Sequence, residues 1–162
     1  NGDIVIKSAK IESGSKTNYS VGINGGTATI EYVEIINSVR GGIGISGGNV
    51  TINNAKVTMK SGNKSMHAVY VKNASNAKVT INNGSFAGYR AGLCLEKVND
   101  TYELNVVVNG GTFTHSKSET IRMTNADATH LTIKGGTFKK ANVTPYLAEG
   151  YVQNTDGIVV TE

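Results

Sequence analysis

The sequence predicts an all-β protein built as a three-faced parallel β-solenoid of about six coils. Three observations predict it: a composition rich in turn residues, a short motif that recurs six times, and a second apolar register between the copies of that motif. The chain has 162 residues, of which 20 are glycine and one is proline. This length suits one domain with a substantial core, so we expect a single domain over residues 1–162.

The recurring motif returns at steps of 22 to 29 residues along the chain. Such spacing is typical of solenoids. Within each copy apolar residues alternate with polar ones, which is the period of a half-buried strand, and each copy holds two strands. The six copies are DIVIKSAKI (3–11), TATIEYVEI (27–35), NVTINNAKV (49–57), KVTINNGSF (78–86), NVVVNGGTF (105–113) and HLTIKGGTF (130–138).

A pair of turn residues separates the two strands of each copy. In the last four copies the pairs are Asn53-Asn54, Asn82-Asn83, Asn109-Gly110 and Lys134-Gly135. Asparagine and glycine tolerate a left-handed backbone at least cost, so these pairs predict a sharp left-handed bend. The first two copies have Lys7-Ser8 and Glu31-Tyr32 instead, where that conformation would be strained, and we expect a different bend there.

The second register supplies a third strand to each coil. Its apolar-x-apolar triplets are Val21-Gly22-Ile23, Ile43-Gly44-Ile45, Val69-Tyr70-Val71, Leu93-Cys94-Leu95 and Ile121-Arg122-Met123. Because one coil cannot bury its apolar side alone, stacked coils are required. In one middle coil the inward residues are predicted to be Val50, Ile52, Ala55, Val57, Val69 and Val71. An antiparallel sandwich also has short strands, but it does not need one motif in one register six times.

The segments VTINNGSF, VVVNGGTF and LTIKGGTF resemble the right-handed parallel β-helix repeats of the pectin-lyase-like superfamily, especially those of bacterial surface or secreted proteins. The resemblance implies a right-handed coil and an extracellular or cell-surface location. It also implies that residues 143–162 form a C-terminal closing segment, with Tyr146-Leu147 continuing the third-strand register. Members of the superfamily include polysaccharide lyases and hydrolases, adhesins and modules of unknown role.

The distribution of charged and apolar residues and the spacing of histidine and cysteine predict no nucleic-acid partner, no membrane insertion and no metal. The formal net charge is +4 with scattered lysines, whereas a nucleic-acid surface usually needs clustered ones. No apolar run is long enough to span a membrane, so no membrane insertion is expected. The three histidines and the single Cys94 lack metal-ligand spacing, so we expect solvated histidines, no metal and no cofactor.

The N-terminal copy presents an apolar first rung, formed by Ile4, Ile6, Ala9 and Ile11, with no capping segment before it. An uncapped rung is an open sheet edge. We therefore expect that further coils, a cap or another chain cover this edge.

The outward side of the third register is the predicted site. Its central column reads Gly22, Gly44, Tyr70, Cys94 and Arg122, and its flanking column reads Asn24, Ser46, Lys72, Glu96 and Thr124. An aromatic ring with several hydrogen-bonding groups can hold a sugar. The candidate ligand-binding residues are Tyr70, Lys72, Tyr89, Arg90, Glu96 and Arg122. The alternative interpretation is a solvated surface ion network of Lys72, Glu96 and Arg122.

These observations favour an extracellular β-helix module that acts as a structural spacer or as a carbohydrate or host-surface binding element, as adhesins do. The alternative is a polysaccharide lyase or glycoside hydrolase acting along the outer face. Lyases of the superfamily need acidic residues for Ca²⁺ and a base, and hydrolases need closely spaced carboxylates. Neither column contains an aspartate, so the sequence assigns no catalytic residue and favours a spacer or binding role over catalysis.

Overall fold

In the computed structural model of the chain, which describes residues 2–14, 17–59 and 66–162, the protein is a parallel β-solenoid of about five turns. The predicted all-β, parallel β-helix fold is confirmed. The strands are β1 (Asp3–Lys7), β2 (Lys10–Glu12), β3 (Val21–Ile23), β4 (Thr27–Ser38), β5 (Ile43–Ile45), β6 (Gly48–Met59), β7 (His67–Lys72), β8 (Ala77–Ile81), β9 (Gly84–Gly88), β10 (Ala91–Glu96), β11 (Leu104–Val108), β12 (Thr112–His115), β13 (Ile121–Thr124), β14 (Leu131–Ile133), β15 (Gly136–Phe138), β16 (Tyr151–Gln153) and β17 (Ile158–Thr161).

The strands form three stacked faces. The first face contains β1, β8, β11 and β14, the second contains β2, β9, β12 and β15, and the long strands β4 and β6 bend through the corner to serve both. The third face is the separate sheet β3-β5-β7-β10-β13. Within the described residues, the first two faces thus have six rungs and the third has five. This explains why about five turns are complete where the six motif copies predicted about six.

The inward residues of the coils are buried as predicted. Val50, Ile52, Ala55, Val57, Val69 and Val71 are at most 2% exposed, whereas Thr51 next to Ile52 is half-buried. The largest side chains of the core form a stack of three rings, with Phe86 and Phe113 at 4.9 Å and Phe113 and Phe138 at 5.0 Å between centroids. Like residues therefore lie above one another from coil to coil.

In the last three copies the left-handed bends lie one residue later than predicted, and at Asn53-Asn54 the predicted left-handed bend is absent. Gly84, Gly111 and Gly136, which follow the turn pairs, have φ values of 143°, 103° and 112°. At Gly111 a Cβ atom would lie 3.1 Å from the carbonyl oxygen of Gly84, so the stacked backbones also require glycine. The expectation for the first two copies is wrong, because Ser8 and Tyr32 both adopt φ of 53°.

The asparagines of the turn pairs have a different role. Asn109 donates from Nδ2 to Oδ1 of Asn82 at 2.8 Å, and Asn82 donates in the same way to Asn53 at 2.8 Å. Asn53 continues the ladder to Oε1 of Glu31 at 3.2 Å, and Lys7 pairs with that carboxylate at 3.1 Å. The corner between the first two faces is thus stabilised by side chains rather than by left-handed asparagines.

The two ends of the solenoid differ. At the N-terminal end β1 pairs with β4, and Ile4 and Val5 are 59% and 63% exposed, so covering of this edge stays a prediction. At the other end β17 pairs antiparallel with β15, and β16 pairs antiparallel with β17. Leu147 forms a parallel bridge to Ile133 on the first face. The prediction that Tyr146-Leu147 continues the third-strand register is therefore wrong.

The course of the chain through Tyr146 and Leu147 has a local cause. A 3₁₀ turn over Thr144–Tyr146, with Pro145 near its start, directs the chain back to the first face.

None of the helices in residues 2–14, 17–59 and 66–162 is long and apolar enough to cross a membrane.

Candidate functional site

The third face carries the predicted outward column in register. Gly22 pairs with Gly44, Gly44 with Tyr70, Tyr70 with Cys94, and Cys94 with Arg122. The thiol-bearing Cys94 is 2% exposed, and burial raises the pKa of its thiol to about 12. The column therefore presents a tyrosine and an arginine at one end and bare backbone at the other.

A ring from outside the sheet covers part of that bare backbone. Tyr19, in the segment before β3, lies so close to Gly44 that a Cβ atom there would be 2.5 Å from its Cγ. At Gly41 a Cβ atom would be 2.2 Å from its Cε1. The Tyr19 ring stacks on Tyr70 with centroids 5.4 Å apart and planes within 4°. Tyr19 thus fills the outward position that residue 44 leaves vacant, which explains the glycines at these positions.

The stacked tyrosines form one wall of a cleft of about 350 Å³. Its lining includes the two rings together with Asn24, Arg40, Ser46 and Lys72. Among the acidic residues that the structure describes, no carboxylate oxygen lies within 4.0 Å of a side-chain nitrogen of Arg40 or Lys72. The cleft therefore combines an aromatic surface, neutral hydrogen-bonding groups and two cations without a carboxylate partner.

Both phenols of the stack stay protonated near neutral pH. Burial raises the pKa of Tyr19 to about 12. Burial, together with the hydrogen bond that its hydroxyl donates to Glu96, raises the pKa of Tyr70 well above its usual range. The cleft thus presents two neutral phenol groups, one of which is fixed by a carboxylate.

The structure brings together only part of the predicted set. Tyr70 and Lys72 line the cleft, and Glu96 contacts it through the Tyr70 hydroxyl. Arg122 instead pairs with Glu119 at 2.6 Å and does not line the cleft. The alternative interpretation as an ion network of Lys72, Glu96 and Arg122 is therefore wrong, because these three groups do not pair with one another.

The two remaining candidates belong to the loop before β10. Arg90 donates its backbone N–H to the carbonyl of Met66 at 2.8 Å, and the Tyr89 carbonyl accepts from Lys117 at 3.0 Å. Neither residue lines the cleft. Their backbones hold neighbouring coils together.

His67 contradicts the expectation of solvated histidines. His67 is only 7% exposed, and its ring stacks on that of Tyr70 with centroids 5.9 Å apart. Its Nδ1 has no hydrogen-bond partner within the described part of the chain. Burial lowers its pKa to about 4, and the nearby charges of Arg90, Arg122 and Arg40 add to this effect. His67 stacks on the outward Tyr70 and is not part of the apolar core cluster, so the inward alternation through Val69 and Val71 does not account for its burial.

We expect the native protein to lose stability as the pH falls below 6.5, and we expect the His67→Phe variant not to show this loss. The unfolded chain binds a proton at His67 near pH 6.5, whereas the folded protein does so only near pH 4. Stability is thus complete above pH 6.5 and falls by about 3 kcal/mol as the pH drops towards 4. Urea denaturation at pH 7.5, 6, 5 and 4 checks this. Parallel pH profiles for the two proteins would contradict it.

A second buried polar residue, Asn73, was not predicted. Its Nδ2 donates to the carbonyls of Asn99 and Tyr102, both at 2.6 Å, and its Oδ1 accepts from the N–H of Val98 at 2.7 Å. It thereby fixes the loop that follows β10. In a sequence with 18 asparagines, nothing distinguishes this one from the solvated ones.

The fold and the cleft define the class of protein as a parallel β-solenoid with a polar, aromatic cleft on the outer side of its third face. Within the described ranges, no group of three or more histidine, cysteine, aspartate or glutamate side chains is placed to hold a metal ion. No protein-family model, curated protein sequence or solved structure matches this chain.

Proposed function

We propose that this chain is a carbohydrate-binding β-helix module of an extracellular bacterial protein, related to the pectin-lyase-like superfamily and adhesin-like in action. The observation that carries the proposal is the Tyr19–Tyr70 stack inside the cleft beside Arg40 and Lys72, neither of which pairs with a carboxylate among the described residues. The glycan lies along the outer side of the third face.

The groups in the cleft suit a sugar chemically. A pyranose has apolar C–H faces that pack on aromatic rings, and hydroxyl groups around its edge that need hydrogen-bond partners. The two tyrosine rings supply the aromatic surface for packing, and Asn24 and Ser46 supply the hydrogen-bond partners. Arg40 and Lys72 add donors for hydroxyl, carboxylate or sulfate oxygens.

The carboxylates on this face suit binding better than catalysis. Glu96 accepts the hydrogen bond from Tyr70, and Glu119 pairs with Arg122. Binding uses these contacts as they stand. A lyase or hydrolase role would require breaking them, since a general acid or base must reach the substrate directly.

We expect Tyr70→Ala to lower glycan affinity at least tenfold, because it removes half of the aromatic wall and the support beneath Tyr19. A glycan array probed with the purified chain, followed by calorimetry of the strongest hits, measures this. Tyr102→Ala and Arg122→Ala are matched controls, because both residues lie outside the cleft, and their affinities should equal that of the native chain.

Three results would contradict the proposed function or the proposed site. An array without any signal would favour a structural spacer. Release of product from acidic polysaccharides in a parallel assay would favour the lyase or hydrolase. Equal loss of binding in Tyr70→Ala and Tyr102→Ala would contradict the location of the site.

A further inference from the structure

We infer that the open position above Gly22 seats one pyranose ring of the ligand, which stacks on the face of Tyr19 that is turned away from Tyr70. This inference rests on the proposed carbohydrate-binding function and names its central contact.

The outward column defines the seat rung by rung. Tyr70 projects from the third rung, and the Tyr19 ring occupies the position over Gly44 in the second. Gly22 pairs with Gly44 in the next rung, and a Cβ atom at Gly22 would meet nothing within 4 Å. Rungs are about 4.8 Å apart, close to the stacking distance of rings. One more ring therefore fits over Gly22 in continuation of the stack.

The glycine at position 22 serves no backbone requirement. Its φ is not positive, and it sits between the buried Val21 and Ile23 in the middle of β3. Glycine weakens a strand interior, and where it occurs there it often marks a close approach of a ligand or of another backbone. At Gly44 the close approach is made by Tyr19. At Gly22 the described residues leave the space open, which assigns it to a ligand.

The surroundings of the seat select a sugar ring. Tyr19 offers the flat surface, and its neutral phenol adds a donor at the edge of the ring. Asn24 and Ser46 flank Gly22 and Gly44 in the neighbouring outward column and line the same cleft. Their amide and hydroxyl groups can both donate to and accept from sugar hydroxyls, which carry both functions. Arg40 and Lys72 lie at the same cleft for a charged substituent.

Gly22→Phe tests the seat by filling it. The probes are maltotriose, chitotriose and trigalacturonate, which are neutral, N-acetylated and carboxylated pyranose trisaccharides, and the readouts are calorimetry and saturation-transfer NMR. The native chain is expected to bind at least one of them, and Gly22→Phe to weaken it at least tenfold. The melting temperature should be unchanged or higher, because the new ring stacks on Tyr19. Val5→Phe, an exposed outward position on the first face, is the matched control and should bind normally.

The outcomes separate the seat from the wider proposal. If Gly22→Phe binds as the native chain does while Tyr70→Ala has lost binding, the seat is overturned and the carbohydrate-binding function stands. If the native chain binds none of the three probes, the seat is overturned, and the glycan array decides the function separately. If Gly22→Phe folds poorly, Gly22→Ala is used in its place. Unchanged trisaccharide affinity in Gly22→Ala would then overturn the close stacking contact.

Discussion

Ile52→Asp is expected to lower the free energy of unfolding by about 5 kcal/mol, and Thr51→Asp by less than about 1 kcal/mol. Ile52 is fully buried between Ile30 and Ile81 of the neighbouring coils. A carboxylate there loses the packing of the isoleucine and has no partner for its charge. Thr51 is half-buried on the outer side of the same strand, where a carboxylate keeps contact with water.

Urea denaturation of the two variants at pH 7.5 measures the difference. The substitutions introduce the same side chain at adjacent positions, so backbone propensity largely cancels in the comparison. Equal losses would contradict the assignment of inward and outward residues, and with it the placement of Tyr70 on the outside.

Phe113→Ala is expected to cost about 4 kcal/mol, because it empties the middle of the buried ring stack. Both neighbouring rings lose a partner, and the rigid coils on either side limit collapse into the cavity. Phe113→Leu keeps most of the volume and is the matched control, with an expected loss of about 1 kcal/mol. Thermal and urea denaturation of both variants check the order. Equal costs would show that the stack adds nothing beyond apolar volume.

The architecture was predictable because the same contacts stabilise every coil of a solenoid. Each coil buries the same positions, so the alternation around Ile52 recurs around Ile81 and Val108, and register follows from aligning the copies. The exact bend was not predictable from residue preference alone. Asparagine suits both a left-handed backbone and a side-chain ladder, and the stacking of coils selects the ladder and moves the left-handed residue to Gly84 and Gly111.

The candidate site was predictable only where it lies on the repeat. Tyr70 and Lys72 follow from the register of the third strand, whereas Tyr19 and Arg40 come from segments between strands that the repeat does not constrain. The glycines at positions 22 and 44 were the available signal, because small residues in an outward column leave room for a ring from elsewhere. The burial of His67 against the Tyr70 ring and the hydrogen bonds of Asn73 to the next coil arise only in the folded chain, and no local pattern reveals them.

Backbone amide NMR of the ¹⁵N-labelled chain, titrated with the trisaccharide that binds most tightly, shows directly whether the glycan binds in this cleft. Carbohydrate binding in the cleft on the third face predicts saturable shift changes at Gly22, Asn24, Gly44 and Ser46. Amides of the first face, such as those of Thr51 and Thr80, should stay unchanged. Shift changes that gather on the first or second face, or that are absent from the cleft at saturation, would contradict the account.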